Sequence, residues 1–184
     1  MRLAAESWKS DFEILISTIM SARTRDETTI PVAEKLFEKF PSAKKLSKAR
    51  IGQIEKIIRP VNFYRNKSKN ILACSKEISK NFKDKIPREI DELVKFPGVG
   101  RKTANVFLAE LGNAAIGVDT HVAYISKKLG WTKNNRQSKI EQDLKKLFPK
   151  RKWKEVNSIL VRFGKTHTSK RKKDALLEEI KKIK

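Results

Sequence analysis

Apolar residues recur along this chain at the three- and four-residue spacing of amphipathic helices almost throughout. Phe12, Leu15, Ile16, Ile19 and Met20 form a first stripe, and Val32, Leu36, Phe37 and Phe40 a second. Ile51, Ile54, Ile57 and Ile58 make the third; Ile71, Leu72, Ile78 and Phe82 make the fourth. Pro87 suits a helix start ahead of Ile90, Leu93 and Val94. Further stripes follow at Ala104, Phe107, Leu108 and Leu111, at Val122, Ile125 and Leu129, and at Ile140, Leu144 and Leu147. Two more close the chain: Val156, Ile159, Leu160 and Phe163, then Leu176, Ile180 and Ile183. Breaks at Pro41-Ser42, Arg59-Pro60, Asn134-Asn135 and Gly164 suit short connections. No stretch keeps the two-residue alternation of a strand, so the pattern predicts an all-α protein. A short link at residues 113–118 and a polar, basic connector at 164–173 suggest two helical lobes, residues 1–115 and 116–184.

Charge changes the picture more than any other bulk property. Forty-three Lys and Arg against 21 Asp and Glu give a formal net charge of +22. A field of that size draws polyanions from a distance and speeds encounter with them, which favours nucleic acid over an anionic membrane surface. A merely solvated basic surface is the alternative. No segment approaches the ~18 consecutive apolar residues of a membrane span. The first residues, Met-Arg-Leu-Ala-Ala-Glu-Ser-Trp-Lys, lack the apolar core of a signal peptide. The expectation is a soluble, intracellular monomer, cytoplasmic or associated with the nucleoid. The single cysteine, Cys74, excludes an internal disulfide and a thiolate cluster made within one chain, and it reads as a small core residue.

The candidate chemistry gathers at residues 96–121. Phe96-Pro97-Gly98-Val99-Gly100 ends one helix and starts the next within a few residues. Gly98 and Gly100 permit positive φ and leave peptide N–H groups uncovered, and the following helix adds the positive end of its dipole. Such a turn at Gly98, Val99, Gly100 and Arg101 can hold a phosphate without regard to base identity. It can also be a plain corner that needs glycine for geometry alone. Lys102 falls in the first turn of that helix, opposite the stripe Ala104, Phe107, Leu108 and Leu111 yet above Val106 and Ala109. The helix dipole, Arg101 and partial burial all favour a neutral, nucleophilic amine, as imine chemistry requires; a solvated charge is the alternative. Asp119, 17 residues further on, is a favoured helix N-cap and can equally be an oriented carboxylate at a cleft edge. His121 suits a phosphate or base contact, or a half-buried polar position.

Phe-Pro-Gly-Val-Gly-Arg-Lys-Thr-Ala-Asn followed by Val-Asp-Thr-His resembles the helix-hairpin-helix DNA glycosylases, in particular the endonuclease III branch. Upstream, Ile-Met-Ser-Ala-Arg-Thr-Arg-Asp resembles that family's Ser-Ala-Gln-x-x-Asp turn, and the segment from Asn62 to Ile71 its Gly-Leu-Tyr-x-x-Lys-Ala-x-x-Ile segment. The resemblance spans roughly residues 12–165 and implies two helical lobes with a DNA-binding cleft between them, the hairpin motif lying at about 88–112. It implies a base-excision-repair glycosylase with abasic-site lyase activity on damaged duplex DNA, with oxidised pyrimidines as the lesion class. Lys102 would be the nucleophile on the sugar C1′, and Asp119 would activate it or stabilise positive charge on the sugar. Gly98, Val99 and Gly100 would hold phosphate, with a monovalent cation on the hairpin carbonyls. Phe63 aligns with an apolar wedge that fills the hole left by a flipped nucleotide; a core phenylalanine is the alternative. Arg23 stands where a glutamine commonly faces the orphaned base, and it suits that gap, a phosphate or a plain surface charge. A non-catalytic hairpin module, or an enzyme for another lesion such as oxidised guanine, remains open.

Two departures from the family stand out. Its members typically carry four cysteines near the C-terminus that bind an iron–sulfur cluster, whereas this chain reads Gly164-Lys165-Thr166-His167-Thr168 there. The expectation is no cluster, with Lys170-Arg171-Lys172-Lys173 either taking over its electrostatic role or forming a solvated linker. The chain also begins about one helix late relative to the family, which leaves two expectations: a reduced second lobe, or C-terminal helices that pack differently.

Overall fold

The computed structural model describes residues 2–183 and shows an all-helical protein, with no strand among those residues. It divides into two compact units, Arg2–Leu111 and the residues from Gly112 onward.

The first unit holds α1 (Asp11–Ser21), α2 (Asp26–Lys39), α3 (Ala43–Ser47), α4 (Ile51–Ile58), α5 (Tyr64–Asn81), α6 (Ile90–Leu93) and α7 (Arg101–Glu110). A capping box opens α1: the Glu13 N–H donates to Ser10 Oγ at 3.2 Å, and the Ser10 N–H donates to Glu13 Oε2 at 3.1 Å. Phe12 and every residue from Ile14 to Met20 are buried, so α1 runs through the centre of the unit. It packs against α2, α5 and α7, while α3 and α4 lie on α5. Leu15, Ile16, Met20, Leu36, Ile54, Ile58, Ile71, Ile78 and Phe107 are fully enclosed. At about 25 cal/mol per Å² of apolar surface removed from water, each stabilises the unit by roughly 1.5–3 kcal/mol before the entropy of ordering is counted. Helix α6 is shorter than the pattern around Pro87 suggests. It begins at Ile90 behind Glu89, and Pro87 lies in the preceding irregular segment.

The second unit holds α8 (Thr120–Lys128), α9 (Gln137–Leu147), α10 (Trp153–Thr166, entered through a short 3-10 turn) and α11 (Lys170–Lys182). Helix α8 is its hub, contacting α9, α10 and α11. Asn157 on α10 donates from Nδ2 to the Gly117 carbonyl at 2.6 Å, which pins the segment leading into α8. Trp131 and Phe148 meet edge to face with centroids 5.0 Å apart, and Trp153 Nε1 donates to the Phe148 carbonyl at 2.8 Å.

The polar connector expected at 164–173 is much shorter. Gly164 is buried inside α10, Ser169 caps α11, and the basic run from Lys170 to Lys173 forms the first turn of that helix. The stripe expected at Leu176, Ile180 and Ile183 is also displaced: Leu177 is buried, whereas Ile180 and Ile183 are exposed. The reason lies in how α11 docks. Tyr124 Oη donates to Asp174 Oδ1, and Lys128 Nζ lies 3.0 Å from Asp174 Oδ2. The face turned to α8 is therefore the one carrying Lys173, Asp174 and Leu177, the last lying four and three residues after the first two.

Candidate functional site

The hairpin is a short loop anchored from below. Phe96 is buried and meets Phe82 edge to face at 5.1 Å between centroids. The Val99 N–H donates back to the Phe96 carbonyl at 3.0 Å, closing the turn, and the Val99 side chain is buried. Gly98 takes φ +81°, and a Cβ there would stand 3.0 Å from Asn70 Cβ and 3.2 Å from Ile19 Cγ2. Both its backbone and its neighbours require glycine. Gly100 is different: it caps α7 at φ −89° and ψ 172°, and a Cβ there would meet nothing within 4 Å. Only Gly98 uses the left-handed region that was expected for both. Neither φ nor internal packing demands a glycine at Gly100; it suits the N-cap position, and it leaves the start of α7 open to an outside group.

Arg101 and Lys102 form the first turn of α7, with Arg101 exposed and Lys102 half-buried. All residues from Thr103 to Ala109 are buried, so α7 is packed on nearly every side behind its N-terminus. The lysine therefore stands at the start of a helix whose following residues are all buried through Ala109.

Asp119 belongs to the second unit. Its Oδ1 accepts from the Val122 N–H at 2.8 Å, so the carboxylate caps α8 and is oriented by doing so. His121 follows in the first turn of α8, half-buried, with its ring against α10 at Gly164. A Cβ at Gly164 would overlap His121 Nδ1, so that glycine makes room for the ring. Burial lowers the imidazole pKa below its usual 6.5; Asp119 opposes the shift, and Lys173 and Lys165 reinforce it.

Arg23 and Phe63 lie in two adjoining turns of the first unit. Both take the left-handed backbone, at φ 56° and 58°. The Phe63 side chain is 59% exposed, with the Arg23 guanidinium carbon 5.8 Å from its ring centroid. An exposed phenylalanine at the tip of a polar turn is not a core residue, which removes that alternative. The turns are tied together by groups that sequence reasoning left without a role. Asn62 Nδ2 donates to the Arg23 carbonyl at 2.5 Å, and the Asn62 N–H donates to Thr24 Oγ1 at 3.2 Å. Beneath them Lys67, only 6% exposed, donates from Nζ to the carbonyls of Met20 at 2.7 Å and Ala22 at 2.5 Å, and to Thr24 Oγ1 at 3.0 Å. Burial pulls its amine down to about 8. The signal was present in the sequence, because Lys67 falls in helical phase with buried Ile71, Cys74 and Ile78.

An iron–sulfur cluster needs several thiolates; the cysteine of this sequence, Cys74, is buried in α5 of the first unit. Burial, aided by Glu77, pushes that thiol up to about 12, away from the thiolate form a metal requires.

Residues 16–150 match the HhH-GPD superfamily of base excision DNA repair proteins. The chain belongs to that superfamily. Among its relatives, the endonuclease III of Thermotoga maritima is 40% identical over 155 residues, covering 84% of this chain and 73% of that protein. The endonuclease III of Synechocystis is 36% identical, covering 90% and 76%. A solved structure of a trapped endonuclease III–DNA covalent intermediate superposes with a TM-score of 0.85 at 35% identity, over 90% of this chain and 78% of that one. A thermostable thymine-DNA glycosylase shares the fold with a TM-score of 0.82 at 19% identity. The sequence resemblance to the endonuclease III branch of this superfamily thus holds over most of the chain.

Proposed function

We propose that this protein is a base-excision-repair DNA glycosylase with abasic-site lyase activity, acting inside the cell on damaged duplex DNA through an imine formed by Lys102. The observation that carries the reading is the N-terminus of α7. A half-buried lysine stands there at the start of a well-buried helix, two residues after a glycine whose open face the protein's own packing does not explain. A phosphate oxygen approaching Gly100 would meet backbone N–H groups and the positive end of the helix dipole. A relative has been captured in a covalent intermediate with DNA, as an amine nucleophile would allow.

In this reading the damaged nucleotide is turned out of the stack. Phe63 fills the gap, and Arg23 faces the estranged base or a neighbouring phosphate. Lys102 Nζ bonds to C1′ as the glycosidic C–N bond breaks, and the base leaves with a proton. The sugar ring then opens: the C1′–O4′ bond breaks, O4′ takes a proton, and C1′ becomes doubly bonded to the lysine nitrogen. The resulting imine acidifies the C2′ hydrogen, and loss of that proton breaks the bond from C3′ to its phosphate oxygen. Asp119 takes up the lysine proton or stabilises positive charge on the sugar, and His121 supports the DNA backbone near it. Oxidised pyrimidines are the lesion class, and a monovalent cation at the hairpin carbonyls is an accessory. No step involves a cluster.

Borohydride reduces a lysine–sugar imine to a stable amine, so wild-type protein should become cross-linked to abasic duplex DNA. Lys102→Ala should lose the cross-link while retaining most of its binding. A cross-link that persists in that variant would overturn the assignment, and binding without any cross-link in the wild type would favour a non-catalytic hairpin module. Asp119→Asn keeps an N-cap acceptor, so its stability should hold while turnover falls more than affinity. Asp119→Ala should lose the cap as well, at about 1 kcal/mol.

A further inference from the structure

Two adjacent non-glycine residues in different turns, Arg23 and Phe63, both take the left-handed backbone. Each such residue costs roughly 1–2 kcal/mol relative to ordinary geometry and persists only where its surroundings over-determine it. What over-determines these two is a single cation. The Lys67 ammonium has three donors, and three acceptors meet them: the carbonyls of Met20 and Ala22 and the hydroxyl of Thr24. Thr24 Oγ1 in turn accepts from the Asn62 N–H, and Asn62 Nδ2 reaches the Arg23 carbonyl. The chain of bonds runs from the start of α5 to the end of α1 and back to the residue beside Phe63. Burying an ammonium among neutral acceptors is costly in itself. A methionine would fill the same space without burying a charge, but it would leave the Met20 and Ala22 carbonyls and the Thr24 hydroxyl without this donor. What the lysine adds beyond packing is the tie between the turns.

We propose that Lys67, with Asn62, is the positioning residue for DNA insertion, holding the Arg23 and Phe63 turns as one preset wedge. This rests on the reading of the protein as a base-excising enzyme and concerns the residues that enter the helix, not the nucleophile. Free, the two turns would relax separately, and Phe63 would have to be ordered anew at each encounter. Locked, they present a ring and a guanidinium at fixed spacing, and the ordering cost is met on folding instead of on binding.

The test compares wild type with Lys67→Met and Asn62→Ala on a duplex carrying 2-aminopurine beside a tetrahydrofuran abasic analogue, and on abasic duplex and single-stranded oligonucleotides under borohydride. Wild-type binding should raise the 2-aminopurine fluorescence as the wedge unstacks it. Both variants should lose most of that rise. Their duplex trapping rates should fall by up to roughly 10²-fold, the scale of a misplaced positioning group, and by far more than their single-strand rates. A full fluorescence rise with unchanged duplex rates in both variants would overturn the proposal. So would equal losses on duplex and single strand, which would mark a general structural defect. If Lys67→Met fails to fold, the exposed Asn62→Ala decides by the same two readouts. Absence of trapping by the wild type would overturn the lyase reading instead, and the fluorescence would still test the wedge.

Discussion

Gly98 and Gly100 stand two residues apart in one turn and are glycines for different reasons. Alanine at Gly98 would force a side chain into the left-handed region and against Asn70 Cβ at 3.0 Å. The first effect alone costs about 1–2 kcal/mol, and the short Asn70 side chain has little room to give. Gly100→Ala meets open space at an ordinary φ, so its cost to the fold is limited to the N-cap preference, under about 1 kcal/mol. Its methyl group would, however, sit where a phosphate is expected. Thermal melts and DNA titrations should therefore separate the pair: Gly98→Ala loses stability foremost, and Gly100→Ala loses affinity with little change in melting temperature. If Gly100→Ala binds as tightly as wild type, the turn is only a corner. The pattern of residues revealed this turn because its physics is local. It places Lys67 on a buried helix face but could not supply its acceptors, which lie 43 to 47 residues away, nor the reason for Gly164, which is the ring of His121.

At the scale of elements, the helices themselves were legible because burial repeats with the helical period. Their rotation was legible only where a helix is enclosed on a wide face. Helix α1 buries its whole expected stripe. Helix α11, resting on α8 through Tyr124, Asp174 and Lys128, buries Leu177 and exposes Ile180 and Ile183, since a tertiary ion pair chose its face. The Asp174 carboxyl is held below its usual range, first by the Tyr124 hydroxyl and then by Lys128, so this contact is fully formed at neutral pH. The α8–α10 contact is the pH-sensitive one. A histidine with a lowered pKa binds fewer protons folded than unfolded, so stability should rise with pH in that window. It should be lost as the pH falls from about 6.5 through the lowered value. Melting temperatures between pH 7.5 and 5 should show this decline in wild type and a flatter course in His121→Gln. Parallel curves would show that His121 carries no part of it. Gly164→Ala, which drives a methyl group into the same ring, should cost about 1–3 kcal/mol at any pH.

At the scale of the molecule the +22 charge sets how binding responds to salt. Each phosphate neutralised releases condensed counterions, so the logarithm of affinity falls with the logarithm of salt at a slope near 0.9 per phosphate. About six such phosphates would weaken binding by on the order of 10³-fold between 50 and 200 mM salt. The first turn of α11 is where this charge is least expected, because Lys170, Arg171, Lys172 and Lys173 crowd the positive end of a helix with no acidic residue in that turn. Exchanging Lys170 and Lys172 for glutamate should therefore raise thermal stability. If this turn touches the DNA backbone, the same change should weaken binding and reduce the salt slope by about one for each phosphate no longer neutralised. The two signs are opposite, so one variant separates the roles. Greater stability with an unchanged slope would make the basic turn a solvated helix start. Greater stability with weaker, less salt-sensitive binding would make it a DNA-binding element, kept at a cost to the helix that carries it.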